Sequence, residues 1–391
     1  MESTSQGNIG SGLIGLARAH GTAATIILMA FVVAAVMLWN ALSPLEFFIY
    51  NNEGSSYARG MVERVDAEQL QTDPVNGRML GTQQVTVRVL DGAHASETVS
   101  VNNELSATQN VLAAPGLGVT LRIDEANGAN PLFMIFNYDR TPVVAGIVAL
   151  FAVAMVAVGG RKGAKSLLGL AFALFLIVAF LLPAIYRGVS PALVGVGTAL
   201  LITVVSMLLL NGWSGKTAVG IASTGIGVLV SVALYAVFAA LLHASGYNID
   251  AADDLLVVQN STHMDVGQLL FVAVVIASLG AVMDMCMSVA SSLFEMKRVH
   301  AGLTRHDILH SGMEIGRDMI GTMCQTLILA FVGSAVGSML AFVSYGMQPL
   351  QLLSSDYIAV ETMQSFIGAL AVVLSVPVAT AVSAVVLCRQ K

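Results

Sequence analysis

The chain has 391 residues, of which 56% are hydrophobic and 11% charged, with a formal net charge of −6 and a mean hydropathy of +0.80. Soluble domains carry about 25% charged residues, so these values exclude an ordinary soluble protein and point to a chain that crosses a bilayer repeatedly. The apolar runs hold no phosphate-binding P-loop, no Gly-x-Ser-x-Gly elbow, no His-Glu-x-x-His and no cysteine cluster. Enzyme activity is therefore not expected, and neither is a cofactor or a metal.

Residues 1–20 read as a cytoplasmic tail, and Gly21 to Leu42 as a first transmembrane helix at roughly 20 apolar residues per crossing. Trp39-Asn40 and Pro44 stand where a signal peptide needs small residues, so this span reads as a retained anchor. Residues 43–141 change character. Gln84 to Leu90 sets Val85, Val87 and Val89 on one face, Glu97 to Asn102 repeats the alternation, and Asp91-Gly92 marks a turn between them. Further strands are expected at Ala58 to Val65 and at Val119 to Ile123, the latter entered through Pro115-Gly116-Leu117-Gly118. Four or five short strands in this length fit a small extracytoplasmic all-β domain, OB-like in shape. Twelve acidic residues against six basic ones argue against nucleic acid as its partner. It reads either as a module for an extracytoplasmic protein or small solute, or as a lid with no ligand of its own.

Residues 142–391 read as a seven-helix bundle. Its spans are Val143 to Val158, Ser166 to Leu182, Pro191 to Leu210, Ala218 to Leu242, Gln268 to Ser292, Ile320 to Val343 and Phe366 to Cys388. The fold class is thus an α-helical polytopic membrane bundle of about eight transmembrane helices. Residues 294–319 form a cytoplasmic amphipathic segment in which Thr304-x-x-Asp307 caps a helix and Ile308, Leu309 and Met313 lie against the membrane. Cys286, Cys324 and Cys388 all fall in or beside apolar spans and read as small core residues. Threading from a cytoplasmic N-terminus gathers eleven of the eighteen Lys and Arg on one side, Lys216, Lys297, Arg298, Arg389 and Lys391 among them. The loop 244–267 has no Lys or Arg but carries Asp250, Asp253, Asp254 and Asp265. By the positive-inside rule both termini are cytoplasmic.

Polar residues inside these spans are the functional candidates, because a charge facing lipid costs at least a few kcal/mol. Gly280, Asp284, Ser288 and Ser291 fall on one helical face, and Glu314, Asp318, Thr322 and Gln325 repeat that spacing on the next span, with Arg317 and Thr326 beside them. Two such stripes can line one shared interior. A desolvated Asp284 would bind and release a proton readily; the alternative is a fixed interhelical partner, for instance of Arg317. His306, His310 and Glu314 share helical spacing without a defined further ligand, so no metal site is read there. Gly333-x-x-x-Gly337 reads as a packing motif, and Pro377 as a kink in the last span.

The stretches Gly280-Ala-Val-Met-Asp284-Met-Cys-Met-Ser288 and Ser311-Gly-Met-Glu-Ile-Gly-Arg-Asp318-Met-Ile-Gly-Thr322-Met-Cys-Gln-Thr326 resemble the YibE/F-like family of bacterial multi-pass membrane proteins. The N-terminal anchor and the β segment Gly92-Ala-His-Ala-Ser-Glu97-Thr-Val-Ser-Val-Asn102 are similar too. The resemblance implies a fold and a bacterial cytoplasmic membrane, but no settled activity. Two functions stay open. One is a secondary permease, proton-coupled through Asp284, with Ser288, Thr322, Gln325 and Thr326 along its path. The other is a non-transporting scaffold or regulator whose β domain binds an envelope partner.

Overall fold

A computed structural model describes residues 6–45, 54–125, 130–249 and 252–389, with side chains from residue 21 onward. Asp250 and Lys391 lie outside the described residues, as do residues 1–5 of the tail. The chain divides into two units, one formed by residues 50–154 and the other by residues 1–49 with 155–391.

The smaller unit is built on five strands, β1 (Ser55–Thr72), β2 (Met79–Val89), β3 (Thr98–Leu105), β4 (Gly118–Asp124) and β5 (Leu132–Tyr138), in sheet order β3-β2-β1-β4-β5. Every pairing is antiparallel. β1 is long enough to serve two neighbours: its first half pairs with β4 and its second with β2, with register shifts at Val62/Arg64 and Val65/Ala67. Such bulges bend a strand and increase its twist, and the sheet curls until β3 approaches β5. The expected alternation holds, since Val85, Val87 and Val89 are all buried with Val62, Val101, Val119 and Leu121. β5 has no place among the strands named from the sequence. Its Leu132-Phe-Met-Ile-Phe136 run is nearly continuous apolar sequence that hides the period of two, and only Ile135 of it is fully buried.

In the larger unit, α1 spans Gln6–Leu42, so the helix begins well before the expected start of the first span. α2 (Thr141–Leu176), whose residues up to Ala154 belong to the smaller unit, is broken at Gly160, whose φ of 55° and ψ of −135° are not helical. A Cβ on Gly163 would lie 2.0 Å from the carbonyl oxygen of Met155. Eight residues span about 12 Å along a straight helix, so the chain turns back here. A π-helical turn (Ile177–Leu181) leads from α2 into α3 (Leu182–Tyr186). There follow α4 (Pro191–Asn211), α5 (Gly215–Leu242), α6 (Ala252–Thr262), α7 (Leu269–Val299), α8 (Arg305–Ser344), α9 (Pro349–Leu353), α10 (Asp356–Thr362) and α11 (Gly368–Arg389).

Seven helical stretches among the described residues are long and apolar enough to cross a membrane, one of them the 46-residue run Thr141–Tyr186 that contains the break. α8 runs 40 residues without interruption, so residues 305–319 of the expected amphipathic segment and the span that follows form one helix. Thr304 and Asp307 do form the capping box, but Ile308 is buried against α7 and α11 and does not lie on a membrane surface. Pro377 sits inside α11 without ending it. All three cysteines are free thiols, with Cys286 fully buried.

α7, α11 and α5 pack through small residues. Gly227 of α5 faces Val282 and Ser375, and Gly312 and Gly316 of α8 face Thr380 and Val376 of α11, so close that a Cβ at Gly316 would sit 2.1 Å from a Val376 methyl. This pair, and not Gly333 and Gly337, holds α8 to its neighbour. A Cβ on Gly333 or Gly337 would meet nothing within 4 Å. The far end of α1 is held by Arg187, whose guanidinium lies 4.1 Å from the Trp39 ring centroid and donates to Asn40 Oδ1 at 2.8 Å.

Candidate functional site

The buried face of α7 carries Val282, Met285, Cys286, Val289 and Leu293, packed against Val372, Val376 and Ala379 of α11. Asp284 falls about 180° from Leu293 at 100° per residue, and its side chain is exposed. The expectation of a buried carboxylate is corrected by that geometry, because the apolar stripe won the interior and turned position 284 outward. Asp284 lies in an open cleft of about 320 Å³ between α4 and α7, shared with Lys162, Ser206, Asn211 and Gly280 and walled by Met283 and Met287. Lys162 comes from the turn after Gly160 and Asn211 from the last residue of α4. The cleft therefore sits beside the break in α2 and the end of α4, against the middle of α7.

The other expected site residues do not converge on Asp284. Ser288 is half-buried, and Ser291 opens into a separate hollow of about 670 Å³ with Lys216, Glu295, Lys297 and Arg298. On α8, Glu314, Arg317, Asp318, Thr322, Gln325 and Thr326 are all exposed. Arg317 pairs with Glu314 one turn away, and not with Asp284. Thr326 Oγ1 donates to the Thr322 carbonyl at 2.8 Å. The α8 stripe faces away from α7 because Gly312, Gly316 and Ile308 give the opposite side to the core. The two stripes thus do not line one interior.

Sequence reasoning did not place Lys162, Ser206 and Asn211 beside Asp284. Lys162 follows the break in α2 and Asn211 ends α4, while Ser206 lies inside α4; the packing of α4 on α7 brings Ser206 and Asn211 to Asp284. It also missed a set of buried hydroxyls. Thr198 of α4, Ser223 and Thr224 of α5, and Thr380 and Ser383 of α11 are buried with no hydrogen-bond partner among the described residues. Thr203 and Ser231 show the ordinary alternative, donating to the carbonyls of Ala199 and Gly227 four residues back. Thr224 and Ser375 stand beside the Cys286 thiol, where α5, α7 and α11 meet.

A family model described as YibE/F-like protein matches residues 147–389, about three-fifths of the chain. No curated protein and no solved structure matches it.

Proposed function

Because the chain belongs to the YibE/F-like family, we propose that it is a bacterial cytoplasmic-membrane protein crossing the bilayer eight times, both termini cytoplasmic, and working as a secondary permease. The seven apolar stretches become eight crossings when the 46-residue run is divided at Gly160. The basic turn Arg161-Lys162 then joins Lys216, Lys297 and Arg298 on the cytoplasmic side, as positive-inside statistics favour. The β unit lies outside as an OB-like barrel, a reading supported by its strand order and by the approach of β3 to β5.

The observation that carries the transport reading is the Asp284 cleft. An acid and an amine sharing one open hollow in an apolar surface can exchange partners: Asp284 takes a proton or cation while Lys162 is displaced, and the two attract each other when it leaves. Ser206 and Asn211 supply neutral oxygens beside them. Behind the cleft, the unpartnered hydroxyls of Thr198, Ser223, Thr224, Thr380 and Ser383 offer a polar interior to water.

The test is proton flux into liposomes carrying a pH-sensitive dye under an imposed gradient. Asp284→Asn should lower it at least tenfold while leaving the protein folded, since exposed substitutions change stability by about 0.5 kcal/mol or less. Wild-type vesicles that move no proton or solute, with a cellular phenotype indifferent to Asp284→Asn, would end the transport reading.

The second reading, a scaffold whose β unit binds an envelope protein, is favoured by one surface of that unit. Tyr57 and Phe136 are each about half exposed and meet edge to face at 5.2 Å. Beside them Arg140 lies over the Tyr138 ring at 5.8 Å, around a hollow of about 580 Å³. Exposed aromatics with an arginine are the composition of binding hot spots. On this reading, Tyr57→Ala with Phe136→Ala abolishes partner co-purification, and Asp284→Asn does not.

A further inference from the structure

α8 is the least covered of the long apolar helices. Its contacts with α7, α11 and α10 use one side, and only Ile308, Gly312, Gly316 and Ala335 along its 40 residues are buried. The opposite side carries a continuous ridge, Asp318, Thr322, Gln325, Leu329, Val336 and Leu340, at successive steps of three, four or seven residues, and every one is exposed. Thr326, Ala330, Gly333 and Gly337 run along its flank with open space above both glycines. Asp318 and Gln325 have no hydrogen-bond partner among the described residues.

That face does not suit lipid. A carboxamide in hydrocarbon has nothing to bond, and each unsatisfied polar group there costs several kcal/mol. The occupant must bring a polar group to the depth of Gln325, an opposite charge to the level of Asp318, and a surface that can approach a glycine backbone. A second copy of this chain meets all three conditions. Copies inserted in the same direction pair about a two-fold axis along the membrane normal, so equal positions meet at equal depth. The Gln325 carboxamide is both donor and acceptor, and two of them close on each other. Arg317, paired with Glu314 of its own helix, differs from Asp318 in depth by about 1.5 Å, so the Glu314–Arg317 pair of one copy comes level with Asp318 of the other. Small residues at 326, 330, 333 and 337 then let the two helices come into backbone contact.

We propose that the outward face of α8, centred on Gln325 and Gly333, is the interface of a parallel homodimer. The inference is independent of the transport reading and survives its failure. The test uses the full chain in proteoliposomes at low protein density, with subunits counted by single-molecule photobleaching. Two-step bleaching is expected. Gln325→Leu and Gly333→Ile should each weaken dimerisation about tenfold. In a background with Cys286, Cys324 and Cys388 replaced by alanine, Leu329→Cys should trap a covalent dimer on oxidation. Leu229→Cys, equally exposed on α5, should not. Monomers at every density, a different protein held at this face, or equal trapping through Leu229→Cys would overturn the proposal.

Discussion

Both units bury polar side chains, but they treat them differently. In the β unit Gln83, Asn103 and Thr86 are buried and each is bonded: Asn103 donates to the Val111 carbonyl at 2.7 Å and to Gln83 Oε1 at 3.1 Å, Gln83 donates to the Ala113 carbonyl at 3.1 Å, and Thr86 donates to Asp66 at 2.5 Å. In the helical unit five buried hydroxyls have no partner among the described residues. The first set does structural work, tying the segment 111–113 across β2 and β3. The second set holds nothing. Helices satisfy their own backbone groups, so their mutual packing rests on shape, and the close approach of Gly312 and Gly316 to α11 is where shape is tightest.

The largest effect should therefore come from filling that contact. Gly316→Leu drives a side chain into Val376, a β-branched residue locked in the core of α11, and overpacking of this kind costs about 3 kcal/mol. Gly337→Leu, on the same helix with nothing within 4 Å, should change subunit stability by about 0.5 kcal/mol or less. Thermal unfolding of the two variants in detergent checks the contrast. Equal melting temperatures would mean that the glycine pair does not hold α8 in place.

A smaller loss is expected from the bonded set. Asn103→Ala leaves the Val111 carbonyl and the Gln83 amide oxygen each short of one hydrogen bond in a buried place, at a cost of about 2 kcal/mol. Hydrogen exchange in the full chain should show the loss at residues 111–113 and along β3, with the helical unit unchanged. Uniform protection in both proteins would show that the network is incidental.

The same difference explains what was legible in the sequence. In β2 the alternation of Val85, Val87 and Val89 with polar residues named the buried face correctly, because one side of a curled sheet meets solvent. In the helical unit nearly every position is apolar, so hydrophobicity no longer separates inside from outside. Asp284 was legible as an unusual residue and its helix as a span, yet its direction depended on where α11 and α4 pack. Gly312 and Gly316 carried the packing signal, but Gly333 and Gly337 carried the same spacing and pack against nothing in the chain. Lys162 entered the cleft only through the reversal at Gly160, which two adjacent glycines permit without specifying which helix the turn will face.

The smallest effect tests whether the surface of the β unit is as fully partnered as its interior. His94 lies between two carboxylates, with Nε2 3.1 Å from Glu125 and Nδ1 3.1 Å from Glu97, and its ring meets Phe133 edge-on at 5.4 Å. Both ring nitrogens donate only in the imidazolium. The Glu125 carboxylate does most to raise the His94 pKa above its ordinary value; burial opposes it, and the Glu97 carboxylate adds to the rise. A raised folded-state pKa contributes stability that is complete below the unfolded value near 6.5 and is lost as pH rises through the folded value. The turn at residues 92–97 should accordingly exchange its amide hydrogens more slowly at pH 5.5 than at pH 8.5, after correction for intrinsic rates. His94→Gln, which keeps one donor and cannot charge, should erase the difference without unfolding the sheet. If the wild-type turn is protected equally at both pH values, the imidazolium does not pin it, and the contrast between the two units is confined to their interiors.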